Sequence, residues 1–153
     1  MAKTKVFILE DENIVAKDIE QSLKKLGYDV VGIASSGEKV IEILKKGTLP
    51  EIFLMDIMIK GEMDGIEVAE YIKDKYSLPV IFLTAYADED TLSKAKITEP
   101  YGYILKPFKE VDLHTTIEMA LYKHQKTAEM KKELHVYSSL ISESQNGKDY
   151  IFV

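Results

Sequence analysis

Five short runs of apolar residues recur along the chain, and longer amphipathic stretches separate them. The runs cover residues 4–9, 29–34, 51–55, 80–83 and 103–105. Continuous apolar runs of this length, bounded by turn residues, are typical of strands that are covered on both faces, as in a parallel sheet. The central run ends in a carboxylate, Asp56, which we expect at the C-terminal tip of its strand.

The stretches between the runs have the spacing of helices. After the first run, apolar residues recur at helical intervals up to Gly27, which closes the helix: Val15, Ile19, Leu23 and Leu26. Ser35 with Glu38 has the form of a capping box, and Asp64 and Asp88 are expected to cap the third and fourth helices. Strand and helix alternate about five times, which predicts an α/β fold with a doubly wound, five-stranded parallel sheet.

The last helix, from Lys109 onward, continues beyond what the sheet needs. Residues 122–140 contain no Gly or Pro, and apolar side chains follow a four-three-four spacing at Met130, Leu134, Tyr137 and Ile141. This pattern fits a packed or fraying terminal helix and a short signalling or dimerising coil equally well. We divide the chain into a domain of residues 1–123 and a C-terminal extension of residues 124–153, helical at first and then a polar tail.

Composition narrows the class of protein. A chain of 153 residues that is 46% hydrophobic suits one globular domain with an appendage. It has no cysteine, which excludes thiol chemistry, and its net charge of -6 with no arginine argues against nucleic-acid binding. No apolar run approaches the length of a membrane span or a signal peptide, so we expect a cytoplasmic protein without membrane contact.

Four predicted strands lead into reactive side chains at their C-terminal ends: Glu10 and Asp11, Asp56, Thr84, and Lys106. The carboxyl ends of parallel strands line one crevice, so these groups should meet. Clustered carboxylates suit Mg²⁺, and a phosphoryl group on Asp56 could be held by Lys106 and Thr84. Taken singly, Asp11 reads as a helix cap, Asp56 as a turn former, Thr84 as a strand end and Lys106 as a solvated tip. Their joint placement favours the site.

The sequence resembles the receiver domain of two-component response regulators, from about Lys5 to about Tyr122. The resemblance rests on five motifs in the order and spacing of that family: Ile8-Leu9-Glu10-Asp11-Glu12, Leu54-Met55-Asp56, Met63-Asp64-Gly65-Ile66-Glu67, Leu83-Thr84-Ala85 and Tyr103-Ile104-Leu105-Lys106-Pro107-Phe108. It implies a flavodoxin-like fold with strand order 2-1-3-4-5. The Lys106–Pro107 peptide bond is open to either isomer.

The resemblance also implies roles for individual residues. Asp56 is the phosphoacceptor, which takes its phosphoryl group from a histidine kinase, and Thr84 and Lys106 contact that group. Mg²⁺ is held by Glu10, Asp11, Asp56 and the backbone carbonyl of Met58. Thr84 and Tyr103 form the switch, in which Tyr103 turns inward as Thr84 moves toward the phosphate. The domain phosphorylates and dephosphorylates itself, is not a turnover enzyme, and acts on a downstream protein or on a second copy through the last helix.

Some features depart from the family pattern or leave alternatives. Residues 59–62 make the loop after Asp56 one residue longer than usual, and residues 84–86 with 99–103 are similar to receivers found beside sensor modules. Met58 and Tyr86 flank the expected path of the hydrolytic water, which implies slow autodephosphorylation.

A receiver-like interaction module that is never phosphorylated, or an aspartyl-nucleophile phosphohydrolase, remains an alternative. The three histidines lie about ten residues apart on the last helix and are expected to be solvated.

Overall fold

The computed structural model describes residues 2–85 and 88–147, and for residues 137–139 and 141–147 it describes the main chain alone. Within these ranges five strands alternate with five helices, as the hydrophobic pattern predicts. In chain order they are β1 Lys5–Leu9, α1 Asn13–Lys25, β2 Asp29–Ala34, α2 Gly37–Lys45, β3 Ile52–Met55, α3 Gly65–Tyr76, β4 Val80–Thr84, α4 Glu89–Ile97, β5 Gly102–Leu105 and α5 Glu110–Gly147.

The strands form one parallel sheet in the order β2-β1-β3-β4-β5, so the expected doubly wound topology is confirmed. The register brings strand ends level with one another: Leu9 pairs with Met55, and Thr84 pairs with Leu105. The residues that follow these pairs are therefore neighbours at the carboxyl edge. The predicted meeting of the strand tips is a direct consequence of this register.

Apolar side chains fill both faces of the sheet. Phe7, Phe53 and Phe82 lie in the layer that α2, α3 and α4 cover. The alternate residues of the same strands lie in the layer covered by α1 and α5, including Ile8, Leu54 and Ile81. All six are fully buried, and truncating any of the phenylalanines to alanine would cost roughly 3–5 kcal/mol. This two-sided core explains why the strand sequences are continuously apolar instead of alternating.

Two of the predicted helix caps are confirmed. Asp64 caps α3 in a reciprocal capping box with Glu67, and Asp88 caps α4. The prediction for α2 is wrong by one residue: the cap is Ser36, whose Oγ accepts from the backbone N–H of Lys39 at 3.3 Å. Glu38 does not complete a capping box, because with Ser36 as the N-cap the third helical residue is Lys39. The Glu38 carboxylate accepts from a loop amide instead.

Helix α5 contains 38 residues, which corresponds to about 57 Å. Leu113, Ile117 and Ala120 bury its first turns, whereas no described side chain beyond Ala120 is buried. The helix passes residue 123 without a break, so the division at that point stays a prediction. It also continues through the start of the predicted polar tail, whose residues 148–153 lie outside the described part of the chain. None of the helices described is long and apolar enough to cross a bilayer.

The expectation of three solvated histidines is wrong in part. The Tyr28 hydroxyl lies 3.0 Å from His114 Nδ1 and donates to Glu118 Oε2 at 2.8 Å, which ties the start of β2 to α5. His124 is half-buried and its ring meets Tyr101 edge-on, and this burial lowers the pKa of His124. These rings pack at the domain surface and do not converge on one another.

Candidate functional site

The backbone places the first residue after β1, β3 and β5 at the carboxyl edge of the sheet. The Asp56 N–H donates to the Leu9 carbonyl at 2.9 Å, and the Lys106 N–H donates to the Thr84 carbonyl at 2.9 Å. The Glu10 N–H extends the ladder in the same way, to Ala34. The main chain at Glu10, Asp56 and Lys106 is therefore held by sheet hydrogen bonds, which fixes where their side chains start.

Lys106 joins the two carboxylates. Its Nζ lies 2.8 Å from Asp56 Oδ2 and 2.5 Å from Glu10 Oε1. The Lys106–Pro107 peptide bond that follows is cis. Only 18% of the Lys106 side chain is exposed, and Glu10 and Asp56 are buried. The ammonium therefore offsets part of the negative charge of a carboxylate pair that water cannot solvate well.

The second oxygen of Asp56 is also held. Thr84, which is fully buried, donates from Oγ1 to Asp56 Oδ1 at 2.8 Å. The backbone N–H of Met58 lies 3.3 Å from the same oxygen. Lys106 and Thr84 thus contact opposite oxygens of one carboxylate. These three residues meet at the carboxyl edge of the sheet, as expected from the sequence.

Burial and charge shift the pKa values of two of these groups. Burial raises the pKa of Glu10, although its hydrogen bond to Lys106 lowers it in part. For Lys106, burial alone would lower the pKa, but the hydrogen bonds to Asp56 and Glu10 outweigh burial and raise it. Lys106 therefore remains an ammonium at neutral pH, and the three groups carry a formal charge of minus one when both acids are ionised.

The simpler single-residue interpretations can now be compared with the structure. Lys106 is not a solvated tip, and Asp11 does not cap α1, whose N-cap is Glu12. Thr84 does end a strand, and Asp56 does form a turn through the Met58 N–H. Those two local roles coexist with the shared contact between Thr84 and Asp56.

The metal assignment stays a prediction. Among the side chains that the structure describes, no three carboxylates or imidazoles lie close enough together to hold a metal ion. Glu10 and Asp56 face one another across the Lys106 ammonium, and Asp11 is half-buried in the turn after β1. The donor set nevertheless fits Mg²⁺ chemically, because all the donors are hard oxygens. Burial raises the pKa of Glu10, and a divalent cation beside it would favour the ionised carboxylate.

The remaining predicted site residues lie around this centre. Tyr103 is half-buried, its ring meets Phe82 edge-on at 6.2 Å, and burial with the nearby charges of Asp88 and Asp56 raises its pKa. Met58 is 51% exposed. Tyr86 lies outside the described residues, so its place beside the hydrolytic water stays a prediction.

Sequence reasoning gave no physical role to Gly65. A Cβ on Gly65 would lie 2.0 Å from the Asp56 carbonyl oxygen and 2.7 Å from Ile57 Cα, so only glycine allows α3 to start this close to the acceptor. The Gly65 N–H donates to the Ile57 carbonyl at 2.7 Å and closes the loop. A glycine directly after a capping aspartate was the available signal.

Comparison with known proteins agrees with this geometry. The sequence matches the response regulator receiver domain over residues 6–118, so the chain belongs to the response regulator receiver family. Members of this family are in general signalling modules instead of turnover enzymes, and they generally bind Mg²⁺ at their acidic pocket.

Two curated relatives are named as regulators. The chain is 30% identical over 134 residues to the transcriptional regulatory protein PdtaR of Mycobacterium tuberculosis, covering 88% of this chain and 64% of PdtaR. It is 29% identical over 132 residues to the phyllosphere-induced regulator PhyR of Methylorubrum extorquens, covering 86% of this chain and 48% of PhyR. The chain therefore spans between about half and two thirds of the length of these relatives.

A solved structure shows the same fold. It is the N-terminal domain of a response regulator/sensory box/GGDEF three-domain protein from Carboxydothermus hydrogenoformans. The two chains are 38% identical with a TM-score of 0.75, and the match covers 82% of this chain and 99% of the other. Nearly all of that domain, which comes from a larger protein, is therefore matched by this chain.

Proposed function

We propose that this chain is a phosphorylatable receiver: Asp56 accepts a phosphoryl group from a histidine kinase in a Mg²⁺-dependent reaction, and the domain relays a conformational change to a partner. The observation that carries the proposal is the convergence of Lys106 and Thr84 on the two oxygens of the Asp56 carboxylate. A charged donor and a neutral donor at one buried carboxylate suit the charge that develops during phosphoryl transfer. A cytoplasmic location is part of the same proposal.

The transfer itself is a displacement at phosphorus. An oxygen of Asp56 forms the new bond to phosphorus, the bond from phosphorus to the kinase histidine nitrogen breaks, and the imidazole leaves with the electron pair. In the resting state Lys106 and Thr84 bind the carboxylate oxygens themselves. Once the phosphoryl group is in place, the same two donors turn to its oxygens, which spreads the negative charge.

Mg²⁺ would be held by the carboxylates of Glu10, Asp11 and Asp56 together with the Met58 carbonyl. When bound it supplies positive charge that offsets the repulsion between the anionic acceptor and the anionic phosphoryl group. The residues of the chain contribute the rest: sheet hydrogen bonds fix Glu10 and Asp56, and burial limits access of water.

The relay is assigned to Thr84 and Tyr103. Thr84 ends β4, and Tyr103 lies on the adjacent β5, where it pairs with Phe82. When Thr84 moves toward the phosphoryl group, the half-buried Tyr103 ring turns inward, which changes the surface formed by α4, β5 and α5. Phosphorylation at the carboxyl edge of the sheet thereby changes the shape of the surface formed by α4, β5 and α5.

Self-association through α5 is the output that we favour over a different downstream protein. Met119, Tyr122, Met130 and Leu134 are 55–63% exposed, and at about 100° per residue they lie along one stripe of the helix. A second copy of α5 would bury this stripe. The side chains of Tyr137 and Ile141, which complete the predicted pattern, are outside those described.

The acceptor is tested by intact mass measurement after treatment with acetyl phosphate and Mg²⁺. The wild type and an Asp74→Asn control, altered at an exposed carboxylate on α3, should each gain one phosphoryl group, whereas Asp56→Asn should gain none. A gain that persists in Asp56→Asn or in EDTA would overturn the assignment. No gain in the wild type would favour the alternative of an interaction module that is never phosphorylated, and sustained release of phosphate would favour a phosphohydrolase.

The self-association proposal needs a separate measurement. Truncation after Lys123 removes Met130 and Leu134 from the stripe and keeps every residue described as buried in the core, so Asp56 should still be phosphorylated. Sedimentation should show association of the full chain and a monomeric truncated chain. A full chain that is monomeric in both phosphorylation states would refute the role of α5.

A further inference from the structure

The loop between β3 and α3 is tied to the start of α2, away from the carboxylate cluster. Ser36 and Lys60 form an isolated parallel bridge. Two residues further on, the Glu62 N–H donates to Glu38 Oε1 at 3.2 Å. Because Glu38 lies in the first turn of α2, the tip of this loop is attached to a rigid element of the fold.

The contact requires a glycine in the loop. Gly61 has a φ of +109°, a conformation that other residues rarely adopt. A Cβ at Gly61 would lie 2.7 Å from Glu38 Oε2. Glu38 and Gly61 are therefore matched to one another, and a side chain at residue 61 would displace the carboxylate.

Glu38 is well suited to hold backbone amides. Its carboxylate accepts from the Glu62 N–H, and the backbone amides around it, its own first, lower the pKa of Glu38. An ionised carboxylate forms stronger hydrogen bonds with amides than a neutral acceptor does. The contact is therefore present as a charge-assisted pair at neutral pH.

The other end of the loop belongs to the phosphoacceptor site. The Ile57 carbonyl accepts a hydrogen bond from the Gly65 N–H, and the Met58 N–H donates to Asp56 Oδ1. The Met58 side chain is 51% exposed, so packing of that side chain contributes little to fixing its backbone. The orientation of the Met58 peptide therefore depends on how the loop is held on either side of it. Ile57, just before it, is buried in the core. Beyond it, the Ser36–Lys60 bridge and the hydrogen bond from Glu62 to Glu38 hold the tip.

We propose that Glu38 is a positioning residue for the chemistry at Asp56: it holds the β3–α3 loop so that the Met58 backbone is aimed at the acceptor. The inference rests on the proposed function of Asp56 and adds a residue that does not touch the acceptor. Groups that orient the immediate donors of a site commonly change its metal affinity by 10–100-fold. We therefore expect Glu38 to control the concentration of Mg²⁺ at which Asp56 becomes competent.

The test compares Mg²⁺ titrations of acetyl phosphate labelling in four proteins: the wild type, Glu38→Ala, Glu38→Gln and a Glu42→Ala control. Glu42 is exposed on the same helix, and its partner among the described residues is Lys46. The Mg²⁺ concentration for half-maximal labelling should rise about tenfold in Glu38→Ala. It should rise less in Glu38→Gln, which keeps an acceptor oxygen, and should not change in the control.

Gly61→Ala disturbs the same contact from the side of the loop, because its Cβ would lie 2.7 Å from Glu38 Oε2 and its φ of +109° would be strained. It should raise the Mg²⁺ requirement at least as much as Glu38→Ala does, and adding Glu38→Ala to it should raise the requirement no further. Equal Mg²⁺ requirements in Glu38→Ala and Glu42→Ala would overturn the proposal. If Glu38→Ala does not fold, the same comparison is decided by Glu38→Gln and Gly61→Ala.

Two further measurements separate this inference from the proposed function. Hydrogen exchange at the Glu62 and Met63 amides should be faster in Glu38→Ala than in the wild type, and equal exchange would overturn the contact itself. Calorimetry of Mg²⁺ binding should show the same weakening without any phosphoryl transfer. Absence of labelling in the wild type, with Mg²⁺ binding still dependent on Glu38, would refute phosphorylation and leave the positioning role standing.

Discussion

Replacing Lys106 with methionine should destabilise the unphosphorylated domain, because it leaves two buried carboxylates facing one another without a counterion. Lys106 makes two charge-assisted hydrogen bonds, to Glu10 and to Asp56, and each such bond contributes roughly 1.5–3 kcal/mol. Desolvation of the ammonium offsets part of this sum. We expect a net loss of about 3 kcal/mol at pH 7, which lowers the melting temperature of a domain of this size by about 6–12 °C.

The loss should depend on pH in a defined direction. The pKa of Glu10 is already raised above its ordinary value of 4.5, so the folded state takes up this proton at a higher pH than the unfolded chain does. Without Lys106 the pKa of Glu10 rises further. The destabilisation is therefore largest above the raised pKa and smallest below 4.5, where the acid is neutral in both states.

Urea unfolding followed by circular dichroism measures both effects, at pH 7 and at about pH 4. The control is Lys17→Met, since Lys17 is exposed on α1. Adding Glu10→Gln to Lys106→Met should restore part of the loss, because one of the two facing charges is gone. The reasoning is refuted if Lys106→Met is as stable as the control at pH 7, or if its deficit is the same at both pH values, which would indicate lost packing instead of charge.

Further predictions concern the acceptor and its loop. Thr84→Val and the control Thr98→Val each remove a buried hydroxyl and should each cost about 1–2 kcal/mol, but only Thr84→Val should slow labelling of Asp56 in the mass assay. Gly65→Ala should lower stability by about 1–3 kcal/mol in urea unfolding and slow labelling, because its Cβ would meet the Asp56 carbonyl oxygen at 2.0 Å; labelling at the wild-type rate would contradict this. Exchanging Met58 for Asn together with Tyr86 for Glu should speed loss of the phosphoryl mass about tenfold, or about 1.4 kcal/mol of barrier, and an unchanged decay would show that these positions do not control access of water.

The parts of the fold that followed from sequence are those that local patterns determine. Continuous apolar runs indicated strands covered on both sides, and their alternation with helical spacing indicated parallel connections, so the convergence of Asp56, Thr84 and Lys106 could be predicted from topology alone. The cap of α2 could not. Ser35 and Ser36 are both good capping residues, and Glu38 favoured Ser35 in the sequence because it lies three residues further on. In the structure the Glu38 carboxylate instead accepts from a loop amide 24 residues away in sequence.

The acidic cluster shows the same limit at the level of chemistry. The sequence predicted which side chains reach the edge of the sheet, but not that Lys106 would lie between Glu10 and Asp56. That position depends on burial, because a partly buried ammonium forms ion pairs with both carboxylates within its reach. This arrangement links stability to reactivity. The contacts that stabilise the resting domain occupy both oxygens of the acceptor and stand between two of the proposed Mg²⁺ ligands, so Lys106 and Thr84 must exchange partners before a phosphoryl group can be held. A substitution that weakens the Lys106–Glu10 contact but keeps the ammonium, such as Glu10→Gln, should therefore leave Lys106 on Asp56, and urea unfolding of that variant should separate the stability lost with this one contact from the stability lost with the lysine.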